Sequence, residues 1–137
     1  MTKAELEQYR SIVAELDEIR DRLNRNTVHG VVTGSDSEFP YVQHHIPVGG
    51  VVESPRNEKD MLLCRELEKR IADIELFVAS IPDSVTRRIF RYRYIEEGKR
   101  PTWIQVTKKV FPALERDEVL KMAESVRKTH SRYLKKI

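Results

Sequence analysis

Residues 84–110 read SVTRRIFRYRYIEEGKRPTWIQVTKKV. Val85, Ile89, Tyr92 and Ile95 recur at helical spacing up to Gly98, whose tolerance of a left-handed backbone suits a helix end. A second apolar stripe, Trp103, Val106 and Val110, follows Pro101 and Thr102, a cap of the usual kind. Phe111-Pro112 stops it. Further on, SVRKTHSRYLK at 125–135 makes a third helix. Val126, His130 and Tyr133 share one side of it, with Leu134 at the edge. Lys128, Ser131, Arg132 and Lys135 share the other with Glu124, and Arg127 flanks them. The segment Leu114–Met122 reads either as a short extra helix or as an early start of the last one. Upstream, Pro82 breaks the chain, and Asp83 or Ser84 can cap the helix that begins there. Two short helices, a turn and a basic helix predict a helix-turn-helix bundle over 80–137.

Charge divides the chain the same way. Residues 84–137 hold 15 Lys or Arg against 6 Asp or Glu, whereas residues 1–83 hold 10 against 16. The overall net charge of +3 hides this contrast. A basic end implies a polyanion, and an acidic end implies protein contacts. Lysines neutralise phosphates and release counterions. Arginine can fork onto a guanine edge, and serine can pair with several bases. Double-stranded DNA is therefore the expected partner, through Arg127, Lys128, Ser131, Arg132 and Lys135, with Lys108 and Lys109 on the second helix. If the last helix starts near Ser125, Arg127 and Lys128 lie at the end that meets base edges, and Arg132 and Lys135 hold phosphate. The plain alternative is a solvated helix face with ordinary charges. A domain this short is near the lower limit for folding alone, so it should lean on the N-terminal helices or on a second chain.

Residues 1–79 predict a long-helix hairpin. Tyr9, Ile12, Leu16, Ile19 and Leu23 step by three and four, as in a coiled-coil seam, and Val13 widens the stripe. Thr2 and Glu5 resemble a capping box. Asn24–Gly30 are poor helix formers. Leu63, Leu67, Ile71, Ile74 and Val78 keep helical spacing from about Pro55 to Ala79. Residues 27–55 lie between, with Gly34-Ser35-Asp36-Ser37 as a turn-rich stretch. Phe39–Val42 and His45–Val48 are read as short extended segments, and Gly49-Gly50 closes them. They predict a small β-hairpin or packed loop, the prolines confining any strand to an edge. The expected fold is thus mainly α: a helical hairpin over 1–79 with an extended insertion, then a helix-turn-helix domain over 80–137. Two single-stripe helices bury each other with little to spare, so self-association into a homodimer through Tyr9, Leu16 and Leu23 is expected.

The run Ile81–Val110, joined by ESVRKTHSRYLKK at 124–136, resembles the phage-encoded late transcriptional regulators of the ArpU/RinA type. The matching pieces are Ile81-Pro82-Asp83-Ser84, Arg91–Ile95, Trp103 with Val106, Ser125–Lys128 and Arg132-Tyr133-Leu134. Residues Val32–Tyr41 also resemble the GS-x-x-x-FPY signature of that group. The resemblance implies a DNA-binding part similar to region 4 of sigma-70 factors. It also implies a phage or prophage activator of late genes that works with host RNA polymerase. The connection from Val110 to Ser125 is longer than the tight turn of such a domain.

Other classes find less support. No apolar run approaches a membrane span, and the charged N-terminus MTKAELEQYR lacks the core of a signal peptide, so a cytoplasmic protein is expected. The lone Cys64 excludes an internal disulfide and falls on an apolar stripe. His44 and His45 with Asp36, Glu38 and Cys64 lack metal-ligand spacing, and no nucleophile elbow or phosphate loop is present. No cofactor, metal or catalysis is expected. Two further readings remain: the DNA-recognition small subunit of a phage packaging terminase, and a sigma-like protein without a recognisable region 2. His130 is read as a core-edge residue and Trp103 as a core anchor.

Overall fold

Thr2 starts the first helix as expected. Its hydroxyl accepts from the Glu5 N–H at 3.2 Å, and the Glu5 carboxylate accepts from the Thr2 N–H at 2.6 Å. This closes helix α1, Lys3–Glu7; α2 begins at once and covers Tyr9–Arg25. The computed structural model describes residues 1–25, 27–35, 43–51 and 55–137. Two strands, β1 (Thr27–Ser35) and β2 (Gln43–Val51), come next. The remaining helices are α3 (Pro55–Ala79), α4 (Ser84–Phe90), α5 (Trp103–Val110) and α6 (Arg116–Lys136). A π-helical turn, Arg91–Ile95, continues α4. The chain is mainly helical.

The described residues gather into two compact units. One joins Met1–Ala14 to Glu68–Ile137, and the other is Glu15–Leu67. This cuts the chain differently from the expected boundary after residue 79. The difference has a simple cause: α1 and the first turns of α2 pack with the C-terminal helices, as the short basic segment required.

In the Glu15–Leu67 unit, Leu16, Ile19, Cys64 and Leu67 are buried. The Arg22 guanidinium forks onto the largely buried Asp60 carboxylate, at 2.8 and 3.3 Å. The strands pair antiparallel from Thr27↔Val51 to Ser35↔Gln43, with Val31 opposite Pro47. Proline cannot donate to the ladder, and a two-stranded sheet with two open edges accommodates it. These strands differ in extent from the extended segments read from sequence: β1 takes in Gly34 and Ser35. Phe39–Val42, and the signature residues Asp36–Tyr41, lie outside the described residues.

In the other unit, Leu6, Tyr9 and Ile12 are buried, as are Ile74, Val78 and Ile81. The Tyr9 hydroxyl donates to Glu75 at 2.5 Å, tying α2 to α3. Ile89, Val106, Val110 and Val126 form the centre of the C-terminal helices, with Tyr92, Trp103, Phe111 and Met122 packed against them. An aromatic layer sits beside it. Phe90 meets His130 at 4.9 Å and Tyr133 edge-on at 5.3 Å between ring centres, and Tyr133 meets Phe77 of α3 at 6.4 Å.

The seam at Tyr9, Ile12, Leu16 and Ile19 is buried within one chain, so it is not free to join two. The helix from Ser84 does not keep one stripe: Val85 is 39% exposed, and Arg93 and Tyr94 are the buried residues of the last turn. The π-helical turn explains this, because the Glu96 N–H reaches back five residues to the Arg91 carbonyl at 3.0 Å. A wider turn slips the 3.6-residue pattern and brings Arg93-Tyr94 inward. Trp103, expected as a core anchor, is half-buried and packs against the Ile89, Val106, Val110 and Val126 core.

Candidate nucleic-acid interface

α5 is built to end and turn. Thr102 and Gln105 form a capping box, with bonds of 3.3 and 3.0 Å between each backbone N–H and the other's side chain. After Phe111-Pro112 the chain re-enters a helix at Arg116. Asp117 and Glu118 occupy its first turn, where acids complement the helix dipole. Val119, Ala123, Val126 and His130 make its buried stripe.

α6 is one helix of 21 residues, which settles the ambiguity over Leu114–Met122 in favour of an early start. Arg127 and Lys128 therefore sit more than two turns inside α6, not at its N-terminus. Their assignment as the residues nearest that end is corrected accordingly.

All seven candidate residues, Lys108, Lys109, Arg127, Lys128, Ser131, Arg132 and Lys135, are exposed. Five lie along α6, and Lys108 and Lys109 are on the last turn of α5. They are not equivalent. Arg127 is forked onto Glu124 at 2.7 and 3.4 Å, and this bond holds the Glu124 carboxyl below the usual carboxylate range. Lys109 lies 3.5 Å from Glu96 and 5.6 Å over the Tyr92 ring. Lys128, Arg132 and Lys135 form no ion pair with a described residue.

One further cation, Lys121, belongs to the same surface. Lys121, Lys128 and Lys135 recur at seven-residue steps on the face opposite the buried stripe, and all three are exposed. Arg116, exposed on the first turn, lies on another side, beside Val119 and Phe111. The seven-residue step was visible in the sequence. Its first member, Lys121, lies before Ser125, where the sequence alone places the helix start. Beside this lysine row runs a second row, Asp117, Glu124 and Ser131, and Leu120 is 55% exposed at its edge.

Behind the surface the basic unit buries polar groups of its own. The Arg93 guanidinium stacks 4.2 Å from the Trp103 ring centre and donates to the Pro101 carbonyl. Its Nε has no hydrogen-bond partner, and burial lowers its pKa. His130 is buried, with Nε2 2.5 Å from the Tyr94 hydroxyl. Burial, then the charges of Arg93, Lys3 and Arg100, push the His130 pKa down to about 4. Burial pushes Tyr94 up to about 12. His130 is thus a neutral core residue, and not a group available to bases.

Arg10 closes the structure from the other end. Its guanidinium donates to the carbonyl of Arg93 in the π-helical turn at 2.7 Å and to that of Glu96, the residue after the turn, at 3.0 Å. Among the described residues, no cluster of three or more His, Cys, Asp or Glu could hold a metal ion. No described helix is long and apolar enough to cross a membrane. No family model matches the chain, and no curated protein or solved structure is significantly similar to it.

Proposed function

We propose that the chain is a sequence-specific, double-stranded-DNA-binding regulator of transcription. On this reading α5 and α6 form a helix-turn-helix. The chain acts as a homodimer, and the resemblance to phage late regulators makes it an activator that meets host RNA polymerase. The observation that carries the reading is the lysine row Lys121–Lys128–Lys135 on a helix held from behind by Val119, Ala123, Val126 and His130. Such a face can enter a groove without exposing core. A net charge of +9 over residues 84–137 supplies the general attraction.

The register of α6 redistributes the roles. In helix-turn-helix docking the N-terminal residues of the second helix meet base edges. Those residues are Asp117, Leu120, Lys121 and Glu124. Carboxylates accept from cytosine, lysine donates to guanine, and an apolar side chain can contact the thymine methyl. Lys128, Arg132 and Lys135 lie further along and hold phosphate, with Lys108 and Lys109 on α5. Arg127 contributes only when Glu124 releases it. The test is binding of the full chain to a random duplex and to fragments of phage DNA across a salt series. Affinity that ignores salt, or no binding at low salt, rejects the proposal.

A further inference from the structure

The outer face of α3 has the composition of a seam and no described cover. Leu62 is 58% and Leu76 69% exposed, and Met61 is exposed beside them. Leu62, Lys69 and Leu76 stand seven residues apart, opposite the buried Cys64, Leu67, Ile74 and Val78. Seven-residue spacing keeps them in line along one side of a helix. Arg65, Glu66, Ala72 and Asp73 flank the line, and all four are exposed. Arg65 and Asp73 form no ion pair with a described residue.

The face is complementary to itself. Laying two such helices antiparallel, with a two-fold axis at Lys69, sets Leu62 against the partner's Leu76. The same register sets Arg65 against the partner's Asp73. One operation therefore satisfies both the apolar and the charged positions, each twice. Glu66 comes within a turn of the partner's Lys69, whose ammonium can leave the axis on its long stem. A pairing of this kind closes on itself and stops at two copies. A parallel pairing would set Arg65 on Arg65 and Asp73 on Asp73.

We infer that a second copy of this chain docks antiparallel on the outer face of α3, centred on Lys69. This rests on the homodimer of the proposed function and names its surface; the seam at Tyr9 and Leu16 is already occupied within the chain.

Sedimentation velocity of the full chain over a range of concentrations tests it. The expected result is a monomer–dimer equilibrium. Leu62→Glu and Leu76→Glu should each leave only monomer, with circular dichroism showing the helices intact. Arg65→Asp alone and Asp73→Arg alone should each weaken the dimer by about tenfold, the size expected where like charges meet at an interface. The two together should restore it. Lys69→Cys, in a Cys64→Ala background, should form a disulfide-linked dimer on oxidation, because this axis brings residue 69 to itself; the charge swap then separates it from a parallel pairing. A wild-type chain that stays monomeric overturns the inference. So does a dimer indifferent to the leucine and charge substitutions. Duplex binding is measured on the same samples, so a monomer that still binds DNA with steep salt dependence separates this failure from that of the DNA reading.

Discussion

The Arg10 guanidinium donates to the main-chain oxygen of Glu96, at 3.0 Å through one nitrogen and 3.3 Å through another. The two residues are 86 positions apart. The carbonyls at the end of a helix have no partner within it, and a cation there also meets the negative end of the helix dipole. The π-helical turn that ends α4 thus takes its C-terminal cap from the first turn of α2. Glu7 and Arg100, 3.1 Å apart, add a second tie nearby.

Arg10→Ala should lower stability by ~2–4 kcal/mol, since charge-assisted bonds are lost and carbonyls are left unsatisfied. Arg10→Lys should recover little, because a compact ammonium lacks the planar fork whose separate nitrogens reach the two carbonyls. Urea unfolding at neutral pH measures both. Removing residues 1–14 should do more, as Leu6, Tyr9 and Ile12 leave the core with it. A fragment 80–137 as stable as the whole chain would contradict this account of the unit.

His130 makes stability depend on pH. Its pKa falls from 6.5 to about 4 in the folded chain. Between those values the unfolded chain binds more protons, so stability is full above pH 6.5 and is lost as pH falls towards 4. The loss approaches ~3 kcal/mol at most. Comparing urea midpoints at pH 7 and pH 4.5 for the wild type and His130→Phe isolates it: the variant should lose much of the difference. Tyr94 acts at the other end. Its pKa rises to about 12, so its contribution is present below pH 10 and declines above it.

Trp103 packs against both Arg93 and His130, at 4.2 and 4.8 Å. Trp103→Ala should cost ~2–4 kcal/mol, less than for a fully enclosed ring but with a buried guanidinium left bare. Trp103→Phe should retain most of this. Melting curves decide, and equal losses for the two would mean that the indole contributes more than a flat face.

Where a residue's role depended on its near neighbours, the sequence was readable. Thr2 with Glu5 and Thr102 as a cap can be read from local spacing, and so can the stripes at Val106–Val110 and Leu16–Ile19. The π-helical turn was not readable, because one wide turn shifts the inward positions to Arg93 and Tyr94 without any residue type that marks it. Arg10 was equally hidden: an arginine among charges on an amphipathic helix gives no sign that its acceptor is a carbonyl far along the chain. The start of α6 was legible in part. Asp117 and Glu118 suit a first turn, but Pro112 and Ala113 obscured where it begins, and the candidate surface was placed too late along the helix. Lys128, Arg132 and Lys135 still share one exposed side.

The revised register of α6 makes a prediction of its own. Lys121→Ala should cost about 1–3 kcal/mol on a specific site and less on random DNA. Arg127→Ala should change specific binding little, because its fork is already taken by Glu124. Competition between a mapped site and random duplex compares them, and a larger effect at Arg127 would restore the later start.

The central claim is that the α6 lysine row lies against DNA. The measurement is the affinity of the full chain for a random duplex as salt is varied, for the wild type and for Lys121→Ala/Lys128→Ala/Lys135→Ala. About 5 phosphate contacts give the wild type a log–log slope near −4.5, and losing the two at Lys128 and Lys135 should flatten it by about 1.8. The triple variant should fold as the wild type does, since all three positions are exposed. A wild-type chain that does not bind duplex DNA, or a triple variant with the wild-type slope and affinity, would contradict the account.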